Sequence, residues 1–143
     1  MELEHSINRL VYSMAVNDIR MCSHYCAGEL SYNSVMYLDL IACQKDCTVS
    51  SLAEILRVSK PAVTQKVNEL IRLGLVVKRQ SERDRRVFYL DVIEEVAQFN
   101  AVCDRPFMHA VHALEEKYDS DQLALLCEAL DLFSAVVTQK AGV

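Results

Sequence analysis

The chain has 143 residues, 52% hydrophobic and 24% charged, with a formal net charge of −5; this excludes a disordered chain and suits one globular domain. Only 3 Gly and 2 Pro punctuate it, which argues against a barrel or sandwich of many short strands and for long helices. No apolar run approaches the ~18–20 residues of a membrane span, and Met1–Leu10 lacks the basic-then-apolar pattern of a signal peptide, so a cytoplasmic protein with no membrane partner is expected.

Residues 3–27 read as one long helix, because Leu3, Ile7, Leu10, Val11, Met14, Met21, Cys22 and Tyr25 recur at steps of three and four. Gly28 stands where that helix can end. Ser31 is placed to cap a second helix running to about Cys43, with Val35, Leu38, Ile41 and Ala42 on its apolar side. Gln44–Lys45–Asp46 reads as a turn. Ser51-x-x-Glu54 fits a capping box ahead of a short helix that includes Leu52, Ala53, Ile55 and Leu56.

A new helix then begins. Ser59 can cap it, and Pro61 in its first turn needs no amide partner. It continues to Leu73 with Val63, Val67, Leu70 and Ile71 as the buried stripe, and Gly74 ends it. Two helices joined by about three residues make a helix-turn-helix. The outward residues of the second helix are Lys60, Pro61, Thr64, Gln65 and Asn68. They are short, polar or cationic, as groove contacts require.

After Gly74 the period changes. Leu75–Arg79 and Val87–Val92 read as strands, joined by an Arg-rich hairpin loop from Gln80 to Arg86. A helix-turn-helix followed at once by a basic hairpin is a winged helix. From Glu94 the chain is helical and acidic, with a break expected before Pro106 and a last helix from about Ser120. Leu123, Leu126, Cys127, Leu130, Phe133 and Val137 line one side of that helix and need a partner, either the first helix or a second subunit.

Charge is segregated along the chain. Arg57–Arg86 holds nine basic and three acidic residues, a net +6, and the remainder holds six basic and 17 acidic, a net −11. A basic middle between acidic flanks points to an anion-binding surface.

These residues resemble a known family. The run Thr48–Ser59, then Val63-Thr64, Leu70–Leu75 and Asp84-Arg85-Arg86, is similar to the core of the MarR family of winged-helix regulators, and the order of elements fits along the whole chain. The resemblance implies a mostly α fold with a small β-hairpin wing. A winged helix-turn-helix DNA-binding core at 31–92 would be flanked by dimerisation helices at 1–30 and 94–143, all within one domain. It also implies a sequence-specific transcriptional regulator, a repressor acting as a homodimer on an inverted-repeat operator in double-stranded DNA. Thr64, Gln65 and Asn68 would meet base edges, and Ser59 and Lys60 would meet phosphate. Arg86 would enter the minor groove, held by Asp84, while Arg85 meets phosphate from a loop that also carries Arg83. The Asp91–Glu95 segment departs from the family pattern, which usually has a Thr-containing turn and a Gly there.

In the expected compartment the six cysteines are reduced thiols. Cys22 and Cys26, and again Cys43 and Cys47, stand four apart, and His109 and His112 stand three apart. Thiolate and imidazole together suit zinc or copper(I). Some relatives sense zinc or oxidants near the first helix, so Cys22, His24, Cys26 and Tyr32 are the candidate effector or redox residues. Against this stands the ordinary role of free cysteine as a small buried hydrophobe. No catalytic constellation and no Gly-rich phosphate loop occur in the sequence, so no enzyme is expected. The rival readings are a winged helix that binds protein instead of DNA, and a metal- or redox-sensing regulator.

Overall fold

The computed structural model of the chain describes residues 2–25 and 30–140, with side chains over 2–20 and 30–139. The elements in order are α1 (Glu2–Tyr25), α2 (Tyr32–Cys43), α3 (Val49–Leu56), α4 (Lys60–Arg72), β1 (Val76–Gln80), β2 (Phe88–Val92), α5 (Glu94–Cys103), α6 (Arg105–Lys117) and α7 (Ser120–Lys140). The fold is mostly α with one antiparallel hairpin, as the sequence implies. The chain divides into two compact units, Met1–Val102 and Cys103–Val143.

Local chemistry sets the boundaries in the first unit. The Ser31 hydroxyl accepts the Ser34 N–H at 3.2 Å and starts α2. The cap of α3 lies three residues before the one the sequence suggests. Thr48 accepts the Ser51 N–H at 3.0 Å, and the Ser51 hydroxyl accepts the Thr48 N–H at 2.9 Å. Ser51 thus takes the inner place of the capping box, a role its short side chain fills as Glu or Gln otherwise would. Arg57 adopts a left-handed conformation (φ 53°, ψ 42°) that turns the chain toward α4. Ser59 caps α4 through the Ala62 N–H at 3.3 Å, and Pro61 sits within the first turn.

Gly74, at φ 74°, ends α4. Its N–H donates to the Ile71 carbonyl at 2.9 Å, and the Leu75 N–H reaches the Leu70 carbonyl at 3.0 Å. A side chain resists this left-handed geometry, whereas glycine adopts it without steric cost. The chain is then aimed into β1. The hairpin pairs Val76 with Val92, Lys78 with Leu90 and Gln80 with Phe88. Both strands start one residue later than the sequence pattern suggests. The free edge of β2 is covered near its middle, where the Leu90 N–H donates to the Cys47 carbonyl at 2.8 Å.

One core joins these elements: Tyr37, Leu38, Ile41, Cys47, Leu52, Ala53, Val63, Val67, Leu70, Val76, Leu90 and Val96. It contains the apolar stripe read for α4, with Ile71 packed at its margin. A recognition-type helix and a hairpin are therefore seated on a shared apolar base.

In the second unit, α6 begins after Asp104 with Pro106 in its first turn, so the break before Pro106 is present. The Asp119 carboxylate accepts the Gln122 and Asp121 N–H groups at 2.9 and 3.1 Å and caps α7. Apolar residues on α7 are exposed on more than the single face read from sequence: Leu125, Leu132 and Val136 as well as Leu130, Phe133 and Val137.

Candidate nucleic-acid interface

The outer face of α4 is set by the inner one. With Val63, Val67 and Leu70 buried, helical spacing turns Pro61, Thr64, Gln65 and Asn68 to the opposite side, and all four are exposed. Ser59 and Lys60 stand at the start of the helix, also exposed. The first amides of a helix and its dipole favour an anion at this end. Among the described residues, the side chains of Thr64, Gln65 and Asn68 spend no hydrogen bond on the protein, so their donors and acceptors face outward.

The hairpin loop is built around two side chains. Ser81 is buried, and its hydroxyl accepts the N–H groups of Arg83 and Asp84 at 3.3 and 3.4 Å. The Asp84 carboxylate accepts the Arg86 N–H at 3.0 Å and its Nε–H at 3.3 Å. One oxygen, Oδ1, therefore fixes both the backbone and the side chain of Arg86, while that side chain stays 92% exposed. The Gln80 side-chain amide donates to the Arg85 carbonyl at 2.7 Å and closes the other side of the loop. Arg83 and Arg85 are exposed beside it.

Two of the nine basic residues do not belong to this surface. Lys66 turns inward, donating to the buried Ser34 hydroxyl at 3.2 Å and pairing with Glu69 at 2.9 Å. Arg79 is held by Asp91 at 3.0 Å and by Asp46 at 3.3 Å, and it lies 5.0 Å from the Tyr89 ring centroid. Its pKa rises further, first because it donates to Asp91 and then to Asp46. The charge count along the sequence could not separate these two from the outward cations. The signal for Arg79 was the strand alternation, which sets it on the same face as Asp91 and Tyr89.

The cysteines divide. Cys22 and His24 lie on α1, but their side chains, like the whole of Cys26, lie outside the described residues. Tyr32 opens α2 and is half exposed. Cys43 is exposed at the end of α2, whereas Cys47 is fully buried beyond the turn, so their spacing of four does not make a site. Burial pushes the Cys47 thiol upward in pKa; a hydrogen bond with Ser51 opposes this, and the Asp91 charge adds to it. A thiol in such surroundings is held protonated. His112 pairs with Glu115 at 3.0 Å, and no group of three or more His, Cys, Asp or Glu among the described residues could hold a metal ion. Among the same residues, no helix is long and apolar enough to cross a membrane.

Residues 29–87, from the approach to α2 to the end of the hairpin loop, match the MarR family. The match spans the winged helix of this chain up to its second strand. Solved structures extend the MarR likeness over nearly the whole chain as a likeness of fold. FabT of Streptococcus pneumoniae, in complex with DNA, is 22% identical with a TM-score of 0.62, over 96% of this chain and 99% of that one. The adhesin competence repressor of Streptococcus pyogenes is 19% identical with a TM-score of 0.62, over 95% and 98%. MarR of Staphylococcus aureus, in complex with salicylate and kanamycin, is 16% identical with a TM-score of 0.64, over 98% and 93%. No curated protein sequence matches the chain. The MarR match covers α2 to α4, β1 and the loop carrying Asp84 and Arg86; the surrounding helices rest on fold likeness alone.

Proposed function

We propose that this chain is a DNA-binding transcriptional regulator that acts as a homodimer on an inverted-repeat site. The observation that carries the reading is the Asp84–Arg86 arrangement: an exposed guanidinium, oriented by a carboxylate, at the tip of a hairpin. A narrow minor groove concentrates negative potential, and a pre-oriented guanidinium suits it. Thr64, Gln65 and Asn68 then read base edges in the major groove, and Ser59, Lys60, Arg83 and Arg85 meet phosphates. FabT, a structural neighbour, is seen on DNA.

The homodimer is supported by exposed apolar side chains on α1 (Leu3, Leu10, Val11, Ile19) and on α7, which a second subunit would cover. Two recognition helices must then lie about one DNA turn apart. Repression by a regulator whose affinity responds to a small effector is supported by the neighbour named a repressor and the neighbour holding salicylate and kanamycin. The effector position proposed from sequence groups Tyr32 with Cys22, His24 and Cys26.

The test is a titration of an inverted-repeat duplex, taken from a binding selection, against a scrambled duplex over a range of salt. The proposal expects preference for the repeat, a steep fall in affinity with salt, and loss of the preference in Arg86→Ala. Equal binding of both duplexes, or a partner protein bound with little salt dependence, would favour the protein-interaction reading.

A further inference from the structure

Arg79 is the one basic side chain of the hairpin strands for which the described residues supply two acidic partners from different parts of the fold. Asp46 belongs to the turn between α2 and α3, with a left-handed φ of 54°. Asp91 belongs to β2, diagonal to Arg79 across the hairpin, whose direct partner is Tyr89. Nε donates to Asp91 Oδ2 at 3.0 Å and Nη2 to Asp46 Oδ1 at 3.3 Å, with the guanidinium carbon 5.0 Å from the Tyr89 ring centroid. A planar fork serves two acceptors in a fixed geometry and lays a flat face on a ring, a fit that a round ammonium lacks. With two carboxylates around one cation, the local charge is net negative, so a phosphate finds no attraction there.

We infer that Arg79 is a positioning residue: it clamps the loop-proximal end of the hairpin strands to the turn between α2 and α3, and thereby sets the direction in which Arg86 is presented. The second half of this statement rests on the DNA-binding reading; the clamp itself does not. The Leu90 N–H to Cys47 carbonyl bond, 2.8 Å long, joins the same turn to the neighbouring strand of the hairpin, so the clamp reinforces a backbone tie that is already present.

The experiment uses the full chain and four variants: Arg79→Gln, Arg79→Lys, Asp46→Asn and the Arg79→Gln/Asp46→Asn pair. Asparagine tolerates the left-handed region as aspartate does, so Asp46→Asn removes the charge without straining the turn. Thermal melts confirm that each variant folds. Amide hydrogen exchange of the hairpin, with no DNA present, is expected to speed up at Leu90 in every variant, and the double variant should be no faster than Arg79→Gln. On the selected duplex, affinity is expected to fall roughly two- to thirtyfold, the range for a residue acting through others, with the salt slope unchanged. Arg79→Lys should behave as Arg79→Gln does, because the charge alone does not restore the fork. Unchanged exchange in all variants would overturn the clamp. A salt slope reduced by about 0.9 in Arg79→Gln and restored in Arg79→Lys would make Arg79 a phosphate contact instead. If the wild-type chain binds no duplex, the DNA-binding reading fails and the exchange data still decide the clamp.

Discussion

Asp84→Ala sets two effects of one carboxylate against each other. Asp84 accepts the Arg86 N–H and Nε–H on an exposed loop, with the Arg86 side chain 92% and its own 46% exposed. An exposed ion pair of this kind contributes ~0–1 kcal/mol to stability, and water can replace the carboxylate at the freed amide. The melting transition should therefore move little. DNA binding is a different matter. An arginine side chain carries about 2 kcal/mol of rotamer entropy, and Asp84 removes part of that freedom before DNA arrives. If half must instead be given up on binding, each wing is weakened by about 1 kcal/mol, or roughly fivefold in affinity. Two wings of a homodimer are weakened roughly thirtyfold together. Removing a negative charge also strengthens the attraction of any phosphate backbone. Affinity for the selected site should therefore fall while affinity for a scrambled duplex holds or rises. Fluorescence anisotropy on both duplexes at one salt concentration reads the two effects separately. Binding of the selected site as tight as wild type, with the preference intact, would refute the pre-orientation argument.

Further predictions concern the core, the thiols and the charges. Leu52 is fully buried where α3 meets the shared core, so Leu52→Ala should cost about 2–5 kcal/mol in chemical denaturation; a cost below about 1 kcal/mol would mean that the core is not as close-packed as described. The raised pKa of Cys47, caused first by burial, gives a stability contribution that is intact below the unfolded thiol pKa of about 8.5. That contribution is lost as pH rises, because the unfolded chain releases the proton first. In native protein, iodoacetamide should modify the exposed Cys43 and spare Cys47; equal labelling would contradict the burial. Arg85→Ala should lower the slope of log affinity against log salt by about 0.9 for each phosphate that Arg85 neutralises. Lys66→Met should leave the slope unchanged, because Lys66 is committed to Ser34 and Glu69.

The elements were legible wherever one local rule dominates. Ser31, Ser59 and Gly74 announce helix ends through a cap hydroxyl or a required positive φ, and the structure uses each of them so. The start of α3 was misplaced because Thr48 and Ser51 both suit an N-cap, and only the backbone geometry shows which is outside the helix. The exposed face of α4 followed from its buried stripe. The division of cations between surface and clamp did not, because Lys66 and Arg79 are paired by Ser34 and Asp46, 32 and 33 residues away in sequence. Cys43 and Cys47 stand four apart, but α2 ends at Cys43, where the polar Gln44–Lys45–Asp46 turn places its end, and the left-handed Asp46 separates the two. Sequence distance reports a shared face only while the helix continues.

The most direct test of the central claim is a selection from a random duplex library, run in parallel on wild type and Arg86→Ala under reducing conditions, with and without added zinc. The account predicts that wild type enriches a two-fold symmetric site with half-sites about one helical turn apart, and that Arg86→Ala does not. Failure of wild type to enrich any site under either condition, or enrichment of the same site to the same degree by Arg86→Ala, would contradict it.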